Sequence, residues 1–144
     1  MPDNHGYIYR VLDANLNRLR EALRVIEEYY RFIDEREDVC ITLKEMRHTL
    51  VQVEEELGKE LLLEHRDTAT DCFAKETRPE ELARAGIHGL LSANFKRGQE
   101  ATRVIEEYSK IIVARAVPGM AKQVRFALYN LEKKLLTGTA DEAD

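Results

Sequence analysis

A stretch of this chain occurs twice. When Ala14–Ile33 is laid without gaps over Ala93–Ile112, eleven of the sixteen positions from Ala14 and Ala93 to Tyr29 and Tyr108 are identical. Unrelated helical segments share far less, so the pair reads as an internal duplication. Downstream, Lys44, Arg47 and Leu50 correspond to Lys122, Arg125 and Leu128 at an offset of 78 instead of 79. That is the mark of a duplicated pair of helices whose connections differ by one residue. The unit is a helical hairpin, and a hairpin cannot bury its apolar stripes alone. Two of them predict an all-α fold, an antiparallel four-helix bundle from two duplicated helical hairpins, with a short connecting helix between them.

Periodicity supplies the helices. Leu12, Leu16, Leu19, Leu23, Ile26, Tyr30 and Ile33 alternate four-three spacings along one face. A second helix is expected over residues 38–63, with Leu43, Met46, Leu50, Val53, Leu57 and Leu61 inward and Gly58 as its weak point. Residues 64–78 are polar and read as a long connecting loop, the kind that compact domains keep for binding or gating. Pro79 then opens a short helix, Pro79–Ala85. A third long helix is expected from Ile87 to Arg115, and a fourth from Met120 to Leu136 after the break at Pro118 and Gly119. The expected organisation is a single helical-bundle domain over 1–136 and a disordered acidic tail over 137–144.

Composition narrows the partners. At 144 residues the chain is long enough to bury about 70% of the surface its unfolded form exposes, so no disulfide or metal staple is required. Its 22 Lys and Arg against 27 Asp and Glu leave a net charge of −5, which argues against nucleic acid as a partner. No apolar run approaches the ~20 residues of a membrane span, and Met1–His5 lacks the features of a signal peptide, so a cytoplasmic location without membrane partners is expected. Cys40 and Cys72 lack metal-ligand spacing and read as reduced thiols of no special role. The sequence leaves a homodimer open.

What the two copies retain is largely polar. Asn15/Asn94, Arg18/Arg97, Glu21/Glu100, Arg24/Arg103, Glu27/Glu106 and Glu28/Glu107 are all kept. Asn15, Arg18, Ala22, Val25 and Tyr29 share one stripe, which sets an amide and a guanidinium on a face that otherwise meets another helix. Beside it lie Glu21, Arg24 and Glu28, spaced so that two carboxylates could flank the arginine. These groups either tie helices together or gather arginines around an anion. Arginine suits phosphate because its planar fork donates two parallel hydrogen bonds and keeps its charge. Arg47, His48 and Arg125 form another candidate set, although Phe126 stands where the repeat would place a second histidine. For the same reason Glu45-x-x-His48, mated to Gln123-x-x-Phe126, does not complete a di-iron site. In the loop, Arg66 could meet a phosphate, and Asp67 and Asp71 could either hold magnesium or close turns. Glycine-rich phosphate loops are absent, so a nucleotide site would have to be assembled from helix faces.

Residues 13–29, Lys44–His48, Arg66–Thr68 with Asp71, residues 93–108, and Arg125 with Tyr129–Lys133 together resemble the small helical domain often fused ahead of thiamine-phosphate synthase. The resemblance spans about residues 8–135. It implies a non-ribokinase class of hydroxymethylpyrimidine-phosphate kinase, which takes the pyrimidine monophosphate to its diphosphate with Mg-ATP. The partners implied are a phosphorylated pyrimidine, ATP and thiamine-phosphate synthase. On that reading Arg66, Asp67 and Asp71 are catalytic, the two aspartates hold Mg with ATP, and no tightly bound cofactor is needed. Asn15, Arg18, Glu21, Arg24, Arg47, His48, Asn94, Arg97, Glu100, Arg103 and Arg125 are then the substrate and phosphate residues. The sequence departs from the family where Asp71 is followed by Cys72-Phe73 instead of Val-Gly, and it ends without a synthase barrel. A noncatalytic docking or ligand-sensing module for a thiamine-phosphate synthase is the alternative.

Overall fold

The computed structural model describes residues 5–79, 82–112 and 114–137. Five helices succeed one another: α1 His5–Phe32, α2 Glu37–Leu57, α3 Lys59–Glu64, α4 Gly86–Ser109 and α5 Val117–Leu136. Among the described residues there is no strand. The two duplicated helices, α1 and α4, make the broadest contact, α2 packs on α1, α5 packs on α4, and α2 meets α5 to close the bundle. One continuous core runs through it. Leu12, Leu19, Leu23 and Ile26 of α1 meet Phe95, Ile105 and Leu128 there, all at 2% exposure or less. Each such side chain withdrawn from water contributes about 1.5–3 kcal/mol.

Polar ties fix the register of each hairpin. In the first, Arg20 pairs with Glu54 and Arg47 with Glu27. In the second, Gln99 donates to Glu132 at 2.8 Å and Arg125 to Glu106 at 2.9 Å. In both, the partners move in opposite directions along the two helices, as antiparallel packing requires. Each tie also lands on its repeat mate, once the change of offset from 79 to 78 is taken into account.

The duplicated helices cross where side chains are small. A Cβ built on Gly98 would lie 3.0 Å from Leu128 Cδ1, 3.6 Å from Leu19 Cδ1 and 4.0 Å from Ala22 Cβ. Gly98 is the repeat mate of Leu19. One copy therefore supplies a side chain and the other the space that receives it, which is how a near-symmetric pair packs without a clash at its axis.

The element boundaries depart from the periodic reading in four places. The second helix breaks at Gly58, whose φ of 96° only glycine adopts cheaply, and this turns the register so that Leu62 is buried and Leu61 exposed. The short connecting helix lies before the loop, as α3, while the expected Pro79–Ala85 helix includes residues 80 and 81, outside the described residues; 82–85 are irregular. α1 stops at Phe32, so Ile33 is 65% exposed instead of completing the stripe. α4 ends at Ser109, and α5 starts three residues early because Pro118 is accommodated in its first turn, where no N–H is needed. The tail expected to be disordered lies, from residue 138 on, outside the described residues.

Candidate functional site

Along the seam between α1 and α4 runs a groove of about 570 Å³. Its walls are five repeat pairs: Asn15 and Asn94, Arg18 and Arg97, Glu21 and Glu100, Ala22 and Ala101, Val25 and Val104. The alanines and valines make an apolar floor. The asparagines are buried, and each donates its amide to its own helix, Asn15 to the Val11 carbonyl and Asn94 to that of Leu90, both at 2.9 Å. This anchors each side chain and leaves its Oδ1 as an acceptor; at Asn15 that atom takes a long 3.5 Å contact from Arg18.

Arg20, Arg24, Arg47, Arg66, Arg103 and Arg125 all have a carboxylate within 4.0 Å. Among the described residues Arg18 and Arg97 have none, although Glu21 and Glu100 stand in the same groove. Arg24 reaches forward to Glu27 and Glu28, at 3.7 and 3.8 Å, instead of back to Glu21, and Arg103 does the same with Glu107. Lys110 shares Glu107 at 2.5 Å, and its hydrogen bond holds that carboxyl below its ordinary pKa.

The loop between α3 and α4 is fastened to the first copy only. Arg66 donates two bonds of 2.8 Å to the buried Asp13, which raises the guanidinium pKa further. Arg10 donates to the Asp67 carbonyl at 2.9 Å and to Thr70 Oγ1 at 3.3 Å. Together Arg66, Asp67, Thr68 and Asp71 roof a second cavity of about 450 Å³ over α1, and Arg18 and Glu21 line both this cavity and the groove. In the second copy Gly89 and Ser92 replace Arg10 and Asp13, so nothing there could fasten a loop in this way.

Arg47 and Arg125 stand apart from the groove. Arg125 is enclosed, bonded to Glu106 and flanked by the rings of Phe126 and Tyr129 at 5.0 and 5.9 Å, and the Glu106 bond raises its pKa. Arg47 Nη2 lies 2.7 Å from Glu27 Oε1, without the alignment of a hydrogen bond, beside a shallow cavity of about 500 Å³ at the α1–α2 turn. His48 is exposed on α2. The structure thus brings Asn15, Arg18, Glu21, Asn94, Arg97 and Glu100 together, with Arg66, Asp67 and Asp71 adjoining. It leaves Arg24, Arg103, Arg47, His48 and Arg125 outside that groove.

A family model, the ThiD2 family, matches residues 10–134. The chain belongs to the ThiD2 family. Curated relatives of this ThiD2 chain include the thiamine-phosphate synthase of Nostoc punctiforme, 41% identical over 132 residues, covering 90% of this chain and 35% of that protein. That of Parasynechococcus marenigrum is 40% identical over 133 residues, covering 92% and 37%. That of Synechocystis is 40% identical over 129 residues, covering 90% and 36%. The chain therefore spans about a third of the length of these relatives. No solved structure matches it significantly. These matches correct the expected phosphorylation of hydroxymethylpyrimidine monophosphate by Mg-ATP: they connect the ThiD2 chain with thiamine biosynthesis through proteins named as synthases, not pyrimidine-phosphate kinases.

In the loop, the two aspartates expected to hold Mg with ATP take part in turns. Thr70 occupies both carboxylate oxygens of Asp67, its N–H at 3.1 Å and its hydroxyl at 2.6 Å, and these bonds hold the Asp67 carboxyl below its usual pKa. Asp71 accepts from the Phe73 N–H at 3.0 Å. Both aspartates close turns, and no cluster of three metal-ligating side chains exists among the described residues. No described helix is long and apolar enough to cross a membrane. Of the thiols, Cys40 is half-buried and Cys72 exposed, both unpaired.

The sequence reading missed Asp13 and Arg10, because comparison of the copies selects what is shared and these two are not. Their absence from the second copy was itself the available signal.

Proposed function

We propose that this ThiD2 chain supplies a binding site for a phosphate ester of thiamine biosynthesis, and that it serves in the formation of thiamine phosphate, the product named in its relatives. The observation that carries the reading is the pair Arg18 and Arg97, repeat mates in one groove and without carboxylate partners among the described residues. A charged fork left unpaired beside an apolar floor is poised for an anion, and charge-assisted bonds to phosphate are the strong ones available to it. Glu21 and Glu100 accept from ring amino groups, and the Ala and Val floor takes the flat face of a heterocycle. The chain's role in a transfer reaction is then to hold a charged ester in place and keep its phosphate neutralised, which arginines do by positioning and electrostatics.

Calorimetric titration of the chain with thiamine phosphate, thiamine and inorganic phosphate tests this. Thiamine phosphate is expected to bind more tightly than the other two, and the double variant Arg18→Ala/Arg97→Ala to lose that binding with its helical circular dichroism unchanged. Equal binding of thiamine and thiamine phosphate, or a double variant that binds as well as the parent, would overturn the reading.

A further inference from the structure

The loop between α3 and α4 has no core of its own. Every residue from 66 to 79 is exposed, Phe73 among them at 65%. Apolar burial therefore does not decide where the loop lies, and its polar fasteners do. The chief fastener is costly in itself. Asp13 is 6% exposed on α1, and a carboxylate withdrawn from water is tolerated there because the Arg66 fork meets both of its oxygens at 2.8 Å. One turn earlier on the same helix, Arg10 adds bonds to the Asp67 carbonyl and to Thr70 Oγ1. The second copy has Ser92 and Gly89 at these two positions. The clasp sets Arg66, Asp67, Thr68 and Asp71 around a cavity of about 450 Å³ that they share with Arg18 and Glu21. Arg18 and Glu21 also form part of the wall of the α1–α4 groove, so the two spaces meet at those side chains.

Resting on the proposed phosphate-ester site, we infer that the site continues from the groove into the cavity under the loop, and that Asp13, seconded by Arg10, is a positioning residue that acts on the ligand through the loop it holds. With the loop clasped, a phosphate on Arg18 is covered on the side of the cavity, and a charge-assisted bond with less water around it is stronger and less screened than an open one. With the loop released, Arg18 stands on an open helix face. A buried charge spent on an otherwise exposed loop is thus explained by what the loop covers, and it is spent only in the copy where Arg18 lies.

The test compares Asp13→Asn and Arg10→Ala with the parent in the full chain, reading by calorimetry the ratio of affinities for thiamine phosphate over thiamine. Asp13→Asn keeps the shape of the side chain and ends the ion pair. Arg10→Ala removes exposed bonds and strands no buried charge, so it decides the matter if Asp13→Asn loses its helical circular dichroism. Asp13→Asn is expected to lower the ratio about tenfold, the worth of one charge-assisted hydrogen bond, and Arg10→Ala to lower it by a smaller factor. Thiamine phosphate is also expected to slow amide hydrogen exchange in residues 66–71 of the parent and to leave those of Asp13→Asn unchanged. Folded variants that keep the parent's ratio overturn the positioning role while leaving the groove as the site. A parent chain that shows no preference for the phosphorylated compound overturns the proposed function and this inference with it.

Discussion

Tyr30 is 3% exposed near the end of α1, and burial, helped by the neighbouring Tyr29 phenol, pushes its pKa from 10.0 up to about 12. Between those values the unfolded chain has lost the proton and the folded chain has kept it, so stability present below pH 10 falls as the pH rises toward 12. The slope is on the order of 1 kcal/mol per pH unit. An absorbance titration is expected to show a phenol ionising near pH 12 in the parent and missing in Tyr30→Phe. Gly98 offers a sharper test of packing. Gly98→Leu would restore the repeat but place a second side chain where Leu19 and Leu128 already meet. The expected cost is about 1–3 kcal/mol or more, read as a lower urea midpoint. At this scale the sequence is a good guide to which residues are duplicated and a poor guide to which must differ. Leu19 and Gly98 look like drift until the helices are seen to cross there.

At the scale of elements, the ion pairs within the hairpins show what the retained glutamates do. Glu106 and Arg125 are about 10% exposed, whereas Arg47, opposite Glu27, is 26% exposed. Removing a carboxylate strands its arginine, and a buried arginine loses more by that than a wetted one. Glu106→Ala is expected to cost about 3–5 kcal/mol and Glu27→Ala clearly less, compared by chemical denaturation. The four long helices, their pairing and most of the core were legible because apolar spacing and duplication report the same hairpins. The α1–α4 groove was half legible: the stripe Asn15, Arg18, Ala22, Val25 was readable, but only three dimensions show it facing its own repeat. Helix ends were less so, since Gly58 resets the register of the leucines after it and Pro118 is tolerated in a first turn. Least legible was the clasp of the loop, because Asp13 and Arg66 are far apart in sequence and neither contributes to a periodic pattern. Asp13→Ala is expected to speed amide hydrogen exchange in residues 66–76 while leaving α4 and α5 protected, as mass spectrometry of peptides would show.

For the molecule as a whole, the chain passes between hairpins in the segment from Glu64 to Gly86, whose described residues carry none of the buried core. Each hairpin keeps its own register ties, and what joins them is the apolar meeting of α1 with α4 and of α2 with α5. A backbone cut among residues 66–78 therefore severs none of the five helices. Limited proteolysis is expected to give two fragments that elute together in size exclusion and separate only in denaturant. The same geometry lets halves from two chains trade places: a hairpin that leaves its own partner finds an identical surface on a neighbour. The chain is in this sense two interlocking pieces on one thread, and shortening the thread is the direct way to make two chains exchange hairpins.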